Sequence, residues 1–156
     1  MSDPLDPMAG RRAARLATVQ ALYQMEVSGG SPASVLAELR AGRLPMGETG
    51  PIDAEPDPEL FEKLISLTVQ HQVGVDRTIA AHLSAGWRLE RIDSVARAIL
   101  RAGVVELWAR QDTPAAVVVD EYVEIAKAFF DGPEPGFVNA ALEACAKHVR
   151  GKDAFD

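Results

Sequence analysis

Residues 93–110, "DSVARAILRAGVVELWAR", decide the fold. Asp93 is a side chain that accepts from the free N–H groups opening a helix. Behind it, Val95, Ile99, Val104 and Leu107 recur at helical spacing, and Leu100 and Trp108 widen the stripe. Arg110 closes the segment, where a cation suits the negative end of a helix. A strand would need apolar residues at every second position, and this stretch has none of that alternation.

The same grammar repeats in both directions. Thr113-Pro114 opens a helix predicted to run to about Phe130, and "DGPEPG" at 131–136 forces a turn. A last helix follows with Phe137, Val138, Ala141, Leu142 and Cys145. Upstream, Asp57 with Pro58 starts a long helical stretch carrying Leu60, Leu64, Leu67, Val75, Ile79 and Leu83. It is predicted to bend at Gly74 and to end at Gly86-Trp87. Ser31 with Pro32 caps another helix, ending near Gly42. The first helix spans about Arg11 to Val27 and stops at Gly29-Gly30. Only Val117-Val118-Val119 favours strand, and it is too short to overrule its flanks.

The expected fold is therefore all-α, a compact single-domain bundle of about six or seven helices. The length of 156 residues suits one domain. Residues 1–9, with Pro4 and Pro7, read as a flexible tail, and residues 151–156 as a fraying C-terminal tail. Residues 42–56 hold three glycines and three prolines and read as a flexible loop within the domain. No signal-like apolar run opens the chain and no long apolar span occurs. The expectation is a cytoplasmic protein with no membrane contact.

Charge is where the sequence becomes specific. The net charge of −7 argues against coating DNA or an anionic membrane over a large area. A small basic patch is still allowed, because salt screens distant acids beyond about 8–10 Å. Asp57, Glu59 and Asp93 stand at helix starts. Arg40, Arg110, Lys127, Lys147, His148 and Arg150 stand near helix ends, all matching the helix dipole. The first helix reverses this. Arg11, Arg12 and Arg15 cluster at its predicted start with no acid beside them, and each such misplacement costs on the order of 0.3–1 kcal/mol. Arg11 and Arg15 fall on one edge, and Arg12 nearer the stripe of Leu16, Val19 and Tyr23. Two readings stand: long arginine stems covering apolar surface, or a local phosphate contact with nucleic acid.

A second candidate is "FFDGPEPGFVNAAL", residues 129–142. Phe129, Phe130 and Phe137 surround a stiff turn and are either core or able to stack on an unpaired base. Asn139 could bond a base or cap the following turn. Asp131 and Glu134 would repel phosphate.

Catalytic chemistry finds little footing. Cys145 is the single cysteine and reads as a small buried hydrophobe. His71 and His82 lie about 16 Å apart if their helix is continuous, and no acid or cysteine cluster completes a metal site. Glu121 and Glu124 read as a solvated face, and Trp87 and Trp108 as core or interface anchors. No phosphate-cradling loop, nucleophile elbow or metalloprotease spacing occurs. No cofactor is implied.

Four blocks resemble one family in order and spacing. They are "RRAARLATVQALYQ" at 11–24, "IDSVARAILRAGVVEL" at 92–107, "TPAAVVVDEYVEIAKAF" at 113–129 and "GFVNAALEACA" at 136–146. Together they look like the bacterial NusB transcription antitermination family, over about residues 10–150. The resemblance implies an all-helical, non-enzymatic RNA-binding protein, monomeric or homodimeric. Such proteins bind boxA of ribosomal RNA leader transcripts together with the ribosomal protein NusE. They then join other Nus factors and RNA polymerase. It further implies RNA contacts from Arg11, Arg12 and Arg15, from Phe137, Val138 and Asn139, and from Tyr23.

Three departures stand out. Ala13 and Ala14 occupy positions where the family often has more charge, Gly136 stands where it often has Lys, and Ala96 where it often has Glu. The first two predict weaker RNA affinity without the protein partner. The third bears on partner docking, for which Arg97 and Arg101 are the remaining candidates. Two other readings are an accessory domain of an RNA methyltransferase and a protein-only interaction bundle. Against the first, these 156 residues contain no glycine-rich methyl-donor site.

Overall fold

The computed structural model describes residues 6–41, 55–84 and 86–150. Most of the predicted 42–56 loop, the start of the predicted tail and residues 151–156 lie outside the described residues. Among the described residues there are seven α-helices, one single-turn 3-10 helix and no strand. The helices are α1 (Pro7–Ser28), α2 (Pro32–Arg40), α3 (Pro58–Gln70), α4 (Gln72–Ala81), α5 (Ser94–Ala109), α6 (Ala115–Phe129) and α7 (Glu134–Val149). The 3-10 turn is Leu89–Arg91, just before α5. The all-α expectation holds, and the Val117-Val118-Val119 run is helical.

Helix starts follow the local chemistry. The Ser31 hydroxyl accepts from the Ser34 amide at 3.1 Å. Asp57 accepts from the amides of Glu59 and Leu60 at 3.0 and 3.2 Å. Asp93 accepts from Val95 and Ala96 at 2.8 and 3.4 Å. Each cap satisfies donors that a helix leaves open, typically for about 1 kcal/mol.

Two boundaries differ from the sequence reading. Helix α1 begins at Pro7, with Asp6 as its cap accepting from the Met8 amide at 3.0 Å. Residues 7–9 are therefore helix rather than tail, because proline at the first helical position needs no partner for a missing N–H. The long stretch after Asp57 does not bend at Gly74. It breaks at His71, which separates α3 from α4, and α4 ends at Ala81 rather than at Gly86-Trp87.

The chain divides into two compact units, residues 1–66 and 67–156. In the first, α1 packs on α2, and the Asp57 amide donates to the Gly10 carbonyl at 3.0 Å, tying the start of α3 to α1. From Ala13 to Leu22, α1 is buried at every residue but Leu16, far more completely than a one-sided stripe would be. It stops at Gly29, whose φ of 71° is a conformation that favours glycine.

In the second unit, α5, α6 and α7 pack on one another and α4 packs on α5. Helix α5 is buried from Ala98 through Leu107. Gly103 sits where a Cβ would approach Leu142 Cδ2 to 2.9 Å, so a glycine lets α5 and α7 close together. Arg101 pairs with Asp76 through both carboxylate oxygens, at 2.7 and 3.0 Å, joining α5 to α4. Arg150 donates to the carbonyls of Gln111 and Thr113 at 2.9 and 2.7 Å, pinning the end of α7 to the α5–α6 turn.

Candidate nucleic-acid interface

The arginines of α1 sit differently from the sequence expectation. Pro7 to Gly10 fill the first turn, so Arg11 and Arg12 open the second. The helix dipole acts mainly within the first turn, and Asp6 supplies the acid that the sequence reading missed. The arginines are thus not at the wrong pole of the helix, and dipole frustration no longer argues for a ligand there. Their exposure also differs in order. Arg12 is exposed, Arg11 half-buried and Arg15 buried at 4% exposure, and both Arg12 and Arg15 are engaged within the protein. Ala13, Ala14 and Ala17 around Arg15 are buried as well. Arg11 and Arg12 stand just before the stretch of α1, Ala13 to Leu22, that is buried at every residue but Leu16. Tyr23, further along α1, is half-buried.

In the second unit, Phe137 and Asn139 lie in the opening turns of α7, both half-buried, with Val138 between them fully buried. Phe137 packs against Trp87, with ring centroids 4.8 Å apart and planes inclined by 37°. Phe129 and Phe130 are also half-buried, with centroids 6.5 Å apart. Sequence reasoning placed Trp87 in a core or interface and did not connect it with Phe137. The signal available was the Gly86-Trp87 dipeptide, since Gly86 has φ of 91° and turns the chain just before the ring.

Gly136 has open space where a side chain would begin.

Arg97 and Arg101 do not form the expected exposed pair. Arg101 is buried and ion-paired with Asp76. Arg97 is half-buried and donates to the carbonyls of Leu89 and Ile92 and to Ser94 Oγ. Both guanidinium groups are drawn inward because the carbonyls around the 3-10 turn and the Asp76 carboxylate need donors.

Other candidates resolve into structure. Cys145 is fully buried and its thiol is pushed up to about 12 by burial, so it is not a nucleophile at neutral pH. His71, which caps the start of α4, stacks edge-on with Trp108 at 5.2 Å, and His82, which caps its end, lies 5.1 Å from His148, so the two histidines point to different neighbours. Glu124 pairs with Lys127 at 3.1 Å on an exposed face. Among the described residues, no group of three metal-ligating side chains occurs and no helix is long and apolar enough to cross a membrane.

Seven α-helices with no strand among the described residues place the chain in the all-helical class. The NusB family profile matches residues 12–147, and the chain belongs to the NusB family. It is 49% identical over 140 residues to the "Transcription antitermination protein NusB" of Maricaulis maris, covering 90% of this chain and 88% of that one. Among solved structures it resembles NusB of T. maritima with a TM-score of 0.73 and 30% identity, covering 93% of this chain and 96% of the other. It equally resembles NusB in a structure of the antitermination factors NusB and NusE in complex with dsRNA. There the TM-score is 0.73 and the identity 27%, over 90% of this chain and 98% of that one.

Proposed function

We propose that this chain is a non-enzymatic transcription antitermination factor that binds boxA of ribosomal RNA leader transcripts together with the ribosomal protein NusE. The observation that carries the reading is membership of the NusB family across nearly the whole chain, supported by a solved relative bound to NusE and RNA. The complex then joins other Nus factors on RNA polymerase.

The local chemistry fits this role. Arg11 and Arg12 offer forked donors that suit phosphate oxygens. Arg15, buried at 4% exposure and engaged within the protein, offers little surface to a ligand. Phe137 offers a ring and Asn139 an amide at the start of α7, and Tyr23 adds a phenol on α1. The net charge of −7 limits affinity for RNA at large and favours a small contact enlarged by a protein partner.

The test is a titration of boxA leader RNA with and without NusE, comparing the wild type with Arg11→Ala/Arg12→Ala. Weaker binding is expected, with the slope of log affinity against log salt flattened by about 0.7 for each lost single-strand phosphate contact. Unchanged affinity and slope in a folded variant would overturn the assignment of these arginines.

A further inference from the structure

We propose that Trp87 and Phe137 together form a step on which one unpaired RNA base stacks, making Trp87 an RNA-contacting residue. The proposal rests on the RNA-binding reading above.

Trp87 is 54% exposed although Phe137 already packs against it, so much of a large π-surface is left facing water. Leaving an indole exposed forgoes burial that would stabilise the fold by a few kcal/mol. The ring is nevertheless held. The Trp87 amide donates to the Ser84 carbonyl at 3.1 Å, and Gly86 fixes the turn before it. Phe137 is anchored in turn by the helical bond from its amide to the Pro133 carbonyl at 3.1 Å and by buried Val138. An aromatic pair already ordered before binding loses little freedom on contact.

The charge beside Trp87 is mixed. Arg88 and Arg91 follow it and both are exposed, as are the acids Glu90 and Asp93, of which Asp93 is engaged in capping α5. On the Phe137 side stand Asp131 and Glu134. The Glu134 carboxylate folds back so far that a Cβ on Gly132 would meet its Oε2 at 2.9 Å, which directs that charge toward the turn. Guanidinium groups next to an exposed aromatic ring are the combination that grips a single strand, phosphates on the cations and base on the ring. A duplex gains less here, because its bases are already stacked on each other.

The experiment uses the full chain and a labelled, unstructured 12-nucleotide RNA, alongside a blunt duplex of the same sequence. Trp87→Ala is expected to weaken single-strand binding by about 5- to 100-fold, with the salt slope unchanged because no phosphate contact is lost. Duplex affinity should stay within about twofold, and Trp87→Phe should restore most single-strand binding, since stacking needs only a ring. Wild-type affinity in Trp87→Ala, or equal losses on strand and duplex, would overturn the stacking step while leaving the RNA-binding reading intact. So would a loss of NusE binding with RNA binding unchanged, which would make the aromatic pair a protein dock. If the wild type binds neither RNA, the RNA-binding reading itself fails, and this inference with it.

Discussion

Tyr122 of α6 donates its phenolic hydrogen to Glu106 Oε1 of α5 at 2.8 Å, and both side chains are fully buried. The second carboxylate oxygen accepts from Arg110 at 2.9 Å, so the carboxylate is held on both sides. A buried carboxylate is tolerable only with such partners. Tyr122→Phe should cost about 1–2 kcal/mol by removing one donor from a group that cannot reach water. Glu106→Ala should cost about 3 kcal/mol or more, because it strands the phenol, the guanidinium and a cavity together. Urea unfolding measures both, and the double variant should lose less than the sum.

Gly103→Ala should destabilise the protein by about 1–3 kcal/mol, although alanine is the better helix former. Its Cβ would come within 3.0 Å of both Leu142 methyl carbons, and Leu142 is fully buried with little room to yield. A gain in melting temperature instead would mean that α7 shifts freely against α5.

Cys145 gives a pH dependence with a definite sign. Burial raises its thiol from an ordinary 9.0 to about 12, so the folded state holds the proton more tightly than the unfolded one. Its contribution to stability is intact below pH 9 and fades as pH rises toward 12, by at most about 1.4 kcal/mol per pH unit. Cys145→Ala should therefore lose less stability than the wild type across that window in paired unfolding curves. At pH 8 the native thiol should resist iodoacetamide until the chain is unfolded.

Gly136→Lys should be sterically free and should strengthen RNA binding. The position opens onto empty space in the first turn of α7. Relief of a helical glycine is worth up to about 1 kcal/mol, partly offset by placing a cation near the positive helix end. One new phosphate contact would steepen the single-strand salt slope by about 0.7. A salt titration beside a thermal melt separates the two effects.

How much of this could be read in advance follows the range of the forces. Ser31, Asp57 and Asp93 were legible as caps because a cap bonds amides two or three residues away. Asp6 was not, because Pro4 and Pro7 on either side read as tail. The break at His71 has no glycine or proline to mark it. Arg97 and Arg101 looked available because helical spacing says which residues share a face, not whether that face meets the neighbouring helix. Arg101 finds Asp76 across 25 residues, and Tyr122 finds Glu106 across 16. Such pairings belong to tertiary packing and leave no local signature. The same holds for Trp87 and Phe137, each legible as aromatic and neither legible as the other's neighbour.

The bond from the Asp57 amide to the Gly10 carbonyl lies one residue before Arg11. It fastens the backbone beneath the two outer arginines to a second helix. Motion there is left chiefly to the guanidinium arms, so ligand capture at this end would be a matter of side-chain reach over a stationary platform. A chain that had to fold its basic segment around RNA would show a large heat-capacity change on binding; this one should show a small one at that end.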